Sequence, residues 1–223
     1  MPQKALFVGG CPASYHRLEP VEGPVRAALE SLGLEPTITG MRHPDGGEAF
    51  TGDYSAINAD NLKQYDLVVL YTTGAEHHGA DVRALIDFVE SGKSLVGIHN
   101  ATDSFTKDPE FIALIGGRFR THPAPLDIAT EIVDRAHPIT QGVRDFTLHD
   151  ELYLFADYDP ARVHLLAQTR SYPDDGPIPV SWTREQGAGR VFYISLGHRP
   201  ETFANPDFLT FFKNGVEWAL RRR

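Results

Sequence analysis

Four short and almost continuous apolar runs most constrain what this chain can fold into. They cover residues 5–8, 37–39, 66–71 and 94–98. Runs of this length, rich in Val, Ile, Leu and Phe, are typical of parallel strands that are buried on both faces of a sheet. The chain is therefore predicted to build a sheet that needs a covering layer on each side.

Helical patterns lie between these runs. A predicted helix over 24–32 starts with Pro24, which suits a first turn, and ends at Gly33. A second predicted helix over 80–90 repeats apolar residues at helical spacing and ends at Gly92. Alternating strands and helices predict right-handed crossovers and a doubly wound α/β sheet.

The remaining chain extends this pattern. Residues 40–60 are rich in Gly, Asp, Asn and Pro and predict a long loop before a short helix near Asn61. Further strands are predicted over 126–133, 163–168, 180–184 and 190–196, with a turn over 186–189, and a closing helix over 205–220. We expect one α/β domain over 1–223, with additional C-terminal strands.

Composition excludes several classes of protein. The 223 residues are 41% hydrophobic and carry a formal net charge of −9, which argues against a nucleic acid or an anionic membrane as partner. Cys11 is the only cysteine, so no intrachain disulfide forms and the cytoplasm is favoured. The apolar stretch 5–8 is too short for a signal peptide, and no run reaches the roughly 18 residues of a membrane span. A homodimer through the closing helix or a sheet edge is left open.

Polar side chains follow the predicted strands at the edge where ligands bind in open α/β sheets. Glu151 lies in a separate polar segment, 149–153, that could fold over the same edge. The other candidates, in chain order, are Tyr15, His16, His77, His78, His99, Asn100, Asp103 and His198. We expect these side chains to face one crevice.

His99 stands at the tip of a sharp turn directly after the strand 94–98. Many α/β enzymes hold a catalytic nucleophile at such a turn, but here the residue is a histidine. His99 and His198 are therefore the strongest candidates. Of the remaining histidines, His164 lies within a predicted strand and is read as structural, and the three that precede proline are discounted, namely His43, His122 and His137.

Several familiar motifs fail. No Gly-x-Gly-x-x-Gly follows a strand and no Gly-x-Ser-x-Gly occurs, so NAD and flavin binding and serine hydrolysis have no support. Residues 91–94 imitate the end of a phosphate loop but run from helix to strand, so ATP binding has no support either. Cys11 could pair with His16 as a thiolate, but beside glycine and proline it is read as an ordinary loop residue.

A set of segments, in this order, resembles the ThuA-like (trehalose utilisation) family over nearly the whole chain. These segments are Val96-Gly97-Ile98-His99-Asn100-Ala101-Thr102-Asp103-Ser104-Phe105, Ile115-Gly116-Gly117-Arg118-Phe119, His122-Pro123, His137-Pro138-Ile139-Thr140, Asp150-Glu151-Leu152-Tyr153 and Gly189-Arg190-Val191-Phe192-Tyr193 with Leu196-Gly197-His198. The resemblance implies a class I glutamine amidotransferase-like fold, a flavodoxin-like sheet with extra strands, and a role in carbohydrate catabolism.

The chain departs from the amidotransferases of that fold at two places. They carry a Gly-x-Cys elbow and a later His-Pro-Glu, whereas here His99 occupies the elbow and His198-Arg199-Pro200-Glu201 has an extra residue. Because no glutamyl thioester forms without a thiolate, glutaminase activity is not expected.

The chemistry must then come from the histidines and carboxylates. His99 and His198 with Glu151, or with Glu76 or Asp103, could hold a divalent metal such as zinc. Without a metal, the same groups could act as general acid and base on a sugar. The other crevice residues would bind sugar hydroxyls, namely Tyr15, His16, His77, His78, Asn100 and Asp103.

We therefore expect a sugar-active lyase, isomerase or hydrolase. The alternatives are a non-catalytic carbohydrate-binding or regulatory protein, and a histidine network without any ligand.

Overall fold

The strand that precedes His99 lies near the middle of a nine-stranded sheet. The structure is a computed structural model and describes residues 2–172 and 176–223. Its strands are β1 (Lys4–Gly10), β2 (Glu35–Gly40), β3 (Leu67–Thr72), β4 (Ser94–Ile98), β5 (Arg118–Thr121), β6 (Leu126–Ile132), β7 (Phe146–Asp150), β8 (Leu154–Ala156), β9 (His164–Thr169), β10 (Ile178–Gln186) and β11 (Gly189–Ile194). Its helices are α1 (Leu18–Ser31), α2 (Ala59–Leu62), α3 (Val82–Glu90), α4 (Pro109–Ile115) and α5 (Pro206–Ala219).

The large sheet has two halves. Strands β2, β1, β3, β4 and β11 are parallel neighbours in that order, which is the flavodoxin-like arrangement. Strands β10, β9, β6 and β7 continue the sheet with antiparallel pairing. The expected flavodoxin-like α/β fold with additional strands is confirmed. A separate two-stranded sheet pairs β5 with β8.

Helices cover both faces of the parallel half, which makes it doubly wound. On one face α1 and α5 bury residues such as Leu29 and Phe211 in one apolar cluster, and on the other α3 and α4 bury Leu85 and Phe111 in a second. Helices α2, α3, α4 and α5 each begin after a side chain that accepts hydrogen bonds from free backbone N–H groups, respectively Asn58, Asp81, Asp108 and Asn205.

Helix α1 corrects one prediction. It begins at Leu18 rather than at Pro24, which lies inside the helix. Leu18, Val21 and Val25 are all buried, so an apolar stripe continues through the proline and its burial outweighs the backbone hydrogen bond that proline cannot donate.

The part of the chain after β4 was only partly predicted. Strands β6, β9, β10 and β11 overlap the predicted ranges, whereas β5, β7, β8 and helix α4 were not anticipated. Within the described residues, no helix combines the length and the apolar character that crossing a membrane requires.

Candidate functional site

His99 is held in a strained turn directly after β4. Its φ of 45° lies in the left-handed region, which residues other than glycine rarely adopt, and its side chain is fully buried. Nδ1 lies 2.7 Å from the carbonyl oxygen of Ser195, which can only accept, so Nδ1 carries the proton. In the neutral ring Nε2 is therefore a bare acceptor, and the hydrogen bond to Ser195 fixes its direction.

His16 reaches the same point from the turn after β1. Its Nε2 lies 3.2 Å from His99 Nε2, and its Nδ1 lies 3.3 Å from Thr73 Oγ1. The Tyr153 hydroxyl lies 3.3 Å from His16 Nε2. Burial lowers the pKa of His16 to about 3, the largest effect on it, so the ring is neutral near pH 7.

Glu151 and His198 complete the cluster. Glu151 follows β7, and its Oε2 lies 3.3 Å from His99 Nε2, 3.4 Å from His198 Nδ1 and 3.8 Å from His16 Nε2. One donor atom from each of the four residues lies within 4.8 Å of every other. The structure thus brings together the three predicted residues and adds His16, which was expected only to bind substrate.

Two of these four atoms lack any hydrogen bond. Glu151 Oε2 and His198 Nδ1 are buried and have no hydrogen-bond partner among the described residues. Burial alone raises the pKa of Glu151, but its contacts with His16 and His99 outweigh burial and hold the pKa below the ordinary value. Burial, with the nearby His99, lowers the pKa of His198. The centre is therefore a carboxylate that faces three imidazole nitrogens, and burial favours the neutral form of His16 and His198.

The four donors fit a divalent metal ion. Zinc binds imidazole nitrogen and carboxylate oxygen at about 2.0–2.2 Å in a tetrahedron, which places neighbouring donors about 3.4 Å apart. In the cluster, Glu151 Oε2 lies 3.3 to 3.8 Å from the three imidazole nitrogens, and His99 Nε2 lies 3.2 Å from His16 Nε2. Buried atoms without partners cost free energy, and a cation between them would satisfy all four at once.

Asp103 and Asn100 lie on the turn that begins with His99. Burial raises the pKa of Asp103 to about 6, with a further contribution from the nearby Glu76 carboxylate and an opposing hydrogen bond from Thr73. Asn100 donates from Nδ2 to Thr73 Oγ1 at 3.1 Å, while its buried Oδ1 has no partner among the described residues. This edge of the cluster thus offers a group that exchanges a proton near neutral pH and a buried hydrogen-bond acceptor.

The other predicted crevice residues lie farther from the donors. Tyr15 is 58% exposed and its ring meets the ring of His16 edge to face. His77 is exposed beside Glu76, and His78 packs against the rings of Phe50 and Tyr54. Glu76 accepts a hydrogen bond from the backbone of Phe105 and supports the turn rather than joining the cluster.

Two residues near the centre were missed. His122 was discounted because it precedes proline, but its Nε2 lies 3.7 Å from Glu151 Oε2, a contact that the sequence did not predict. Its Nδ1 lies 2.7 Å from the carbonyl oxygen of Pro123, which turns Nε2 inward. Tyr153 lies with its ring centre 4.2 Å from that of His99. The family-like segments that contain them were a signal in the sequence, and Tyr153 also lies in the polar segment 149–153.

The remaining histidines and Cys11 take the places expected of structural residues. His43 is buried and bonds backbone carbonyls of Gly47 and Cys11, and His137 accepts from a helical-turn N–H. His164 pairs with Asp134 at the surface. Burial raises the pKa of Cys11, which favours an unreactive thiol over a thiolate.

Comparisons with known proteins place this chain in a family. The sequence model of the ThuA family, described as trehalose utilisation, matches residues 37–219. Among curated proteins no sequence matches the chain.

Solved structures support the fold. A ThuA-like protein of Parabacteroides merdae is 18% identical with a TM-score of 0.77, covering 100% of this chain and 91% of its own. A ThuA-like protein of Bacteroides uniformis is 22% identical with a TM-score of 0.71, covering 98% and 91%. The PurLQS structure from Thermotoga maritima is 17% identical with a TM-score of 0.58, covering 98% of this chain and 99% of its own.

The family match spans most of the chain and includes three of the four clustered donors, His99, Glu151 and His198. The chain belongs to the ThuA (trehalose utilisation) family.

Proposed function

We propose that this chain is a sugar-active enzyme that works with a divalent metal ion held by His16, His99, Glu151 and His198. The observation that carries the proposal is the convergence of four buried or nearly buried donor atoms, two of which have no hydrogen-bond partner among the described residues. Native proteins rarely leave such atoms unpaired without a functional reason.

The charge balance of the cluster supports a cation. The Ser195 carbonyl fixes the His99 proton on Nδ1, so His99 Nε2 presents a lone pair to the centre. Burial keeps His16 neutral, and Glu151 contributes a negative charge. Imidazole lone pairs and a carboxylate held at these distances offer their electrons to one point, where a divalent ion can accept all of them at once.

When bound, such an ion polarises a substrate oxygen and lowers the pKa of a bound water. The chain itself supplies the proton transfer and the orientation. Asp103, with a pKa of about 6, can hold or release a proton close to neutral pH. Asn100 Oδ1 offers a buried acceptor to a substrate hydroxyl, and the exposed Tyr15 ring offers an apolar face at the mouth. His77 and His78, which lie farther out, would contact only a larger ligand.

The substrate class and reaction types follow from the family and the site. The family description names trehalose utilisation, and we propose a disaccharide of that kind, in its native or oxidised form, as substrate. Proton abstraction and return, elimination and hydrolysis are the reactions that a metal, a base and a carboxylic acid can perform together. Because His99 replaces the nucleophilic cysteine, we propose no glutaminase activity. Because the chain has a single cysteine, which is buried, we also propose a cytoplasmic location.

The first experiment measures bound metal by elemental mass spectrometry on tag-free protein. We expect close to one divalent ion per chain in the wild type and less than about a tenth of that in His99→Ala, because one of four ligands is lost. His164→Ala, a surface histidine with an acidic partner, is the matched control and should keep its metal. A wild-type chain without metal, and without affinity when zinc or manganese is added, would contradict the metal centre.

A second experiment separates an enzyme from a sugar-binding protein. Trehalose, other disaccharides and their oxidised forms are incubated with the metal-loaded protein while product formation and thermal unfolding are followed. Conversion that is lost in His99→Ala supports the enzyme. Saturable thermal stabilisation without product would favour the alternative, a carbohydrate-binding or regulatory protein.

A further inference from the structure

Asp150 is a fully buried carboxylate next to Glu151, but it is not one of the four donors. Its Oδ1 accepts a hydrogen bond from the backbone N–H of Glu151 at 2.8 Å. Its Oδ2 accepts two more at 2.9 Å, from the backbone N–H of Gly197 and from the Thr202 hydroxyl. All three partners donate, so an acceptor-only carboxylate satisfies them completely.

These hydrogen bonds join two parts of the fold that the sheet keeps apart. Glu151 follows β7, and His198 comes shortly after β11, directly after Gly197. Three strands, β10, β9 and β6, lie between β11 and β7 in the sheet order. Pairing between neighbouring strands therefore does not set the separation of Glu151 from His198. Asp150 links them instead, because it accepts hydrogen bonds from the backbone N–H of Glu151 and from that of Gly197, the residue before His198.

The other two donors have supports of their own. His99 is oriented by the Ser195 carbonyl and His16 by Thr73. No described residue hydrogen-bonds Nδ1 of His198 or Oε2 of Glu151, so the position of these two atoms is sensitive to the position of their backbones. Gly197, with a φ of 121°, makes the turn that presents His198, and Asp150 fixes the N–H of that glycine.

We propose that Asp150 is the positioning residue of the metal centre, setting the distance between Glu151 and His198 without touching the ion. This inference rests on the proposed metal site. Partners behind metal ligands typically change metal affinity 10- to 100-fold when they are replaced. Asp150 would act in this way on two ligands at once, through the main chain.

The test compares zinc affinity with the stability of the metal-free protein. Zinc affinity is measured by competition with a chromophoric chelator, the ligand geometry by the visible spectrum of the Co²⁺-loaded protein, and stability by urea unfolding. Asp150→Asn keeps the shape but turns an amide N–H₂ toward a donor. We expect its zinc affinity to fall about 10- to 100-fold, with an altered Co²⁺ spectrum.

Two threonine variants keep the test decisive. Thr202→Val removes only one hydrogen bond to Asp150, and we expect a loss of zinc affinity of at least about threefold. Thr140→Val is the matched control, because Thr140 is also buried and donates to the backbone of Asp134 and His137 instead. It should lower stability while leaving zinc affinity and the Co²⁺ spectrum unchanged.

The outcomes are distinguishable. If Asp150→Asn and Thr202→Val bind zinc within twofold of the wild type, Asp150 is only a structural residue and this inference is overturned alone. If Asp150→Asn does not fold, the comparison of Thr202→Val with Thr140→Val decides. A wild-type chain that binds no zinc overturns the proposed function and this inference together.

Discussion

The parallel and antiparallel halves of the sheet contribute to one centre in different ways. From the parallel half, His16, His99 and His198 follow β1, β4 and β11, whose carboxyl ends meet at the same edge. Glu151 comes from the antiparallel half and directly follows β7, the strand at the far edge of the sheet. The parallel half thus supplies only imidazoles, and the antiparallel half supplies the one carboxylate among the four donors.

The difference shows which part of the site the topology dictates. Parallel strands with helical crossovers bring their ends together in any fold of this class, so histidines placed there converge at one edge, where hydrogen bonds then orient their side chains. The antiparallel half has no such rule, and Glu151 needs the hydrogen bonds of Asp150 to reach the same place. A centre of this kind can therefore change its anionic group without rebuilding the parallel half.

Removing the Glu151 carboxylate is the most direct test of the contrast between the two halves of the sheet. We expect Glu151→Gln to weaken zinc binding by more than about a hundredfold, because the only negative donor is lost while the imidazoles stay in place. Chelator competition measures the affinity. Glu131→Gln, an exposed change on β6 in the same half, should bind as the wild type does. Retention of full affinity by Glu151→Gln would show that the parallel half suffices.

A second prediction concerns the parallel half, where Asp103 lies on the turn after β4. The pKa of Asp103 is raised from 3.8 to about 6, so the unfolded chain releases this proton at lower pH than the folded chain. Stability is then lost as the pH rises from about 4 to 6 and stays lost above 6. Asp103→Asn, which cannot ionise, should gain about 1–2 kcal/mol relative to the wild type over that range, after allowance for screening at this partly exposed site.

Urea unfolding of the metal-free protein at pH 4, 5, 6 and 7 measures this effect. Asp45→Asn is the control, because Asp45 is exposed, and its difference from the wild type should not vary with pH. A constant difference for Asp103→Asn as well would mean that Asp103 titrates normally and is a poor proton donor near neutral pH.

The smallest effect is expected at His122, the imidazole that the antiparallel side brings near Glu151. It is partly exposed and its Nε2 lies 3.7 Å from Glu151 Oε2, so the contact is a surface ion pair at most. We expect His122→Gln to change zinc affinity by less than about fivefold, the equivalent of about 1 kcal/mol. A loss as large as that of Glu151→Gln would make His122 a fifth ligand.

The same division explains how much the sequence predicted. The strands of the parallel half are continuous apolar runs, and the rule about strand ends correctly grouped His99 with His198. Strand β8 spans only Leu154–Ala156, and the alternation of apolar and polar residues in β7 covers only Phe146–His149, so both are too short to be detected with certainty from the pattern. His16 was assigned a lesser role because a turn residue after β1 gives no sign of which way its ring points.

His122 shows a different limit. Proline after a residue restricts the backbone of that residue, and this says nothing about where its side chain goes. The contact with Glu151 depends on the small sheet of β5 and β8, which only the folded chain reveals. Long-range pairing of short polar segments is the part of this fold that local pattern cannot supply.

Three of the four donors extend from the ends of strands whose residues are fully buried, such as Val8, Val96 and Ile194. In small zinc domains the ion is needed for folding, and chelators unfold the chain. Here the framework stands on its own apolar core, and we expect the ion to leave and return while the chain stays folded. Under the proposed function, occupancy would follow the free metal concentration of the surroundings, and the supply of metal would regulate the rate of turnover.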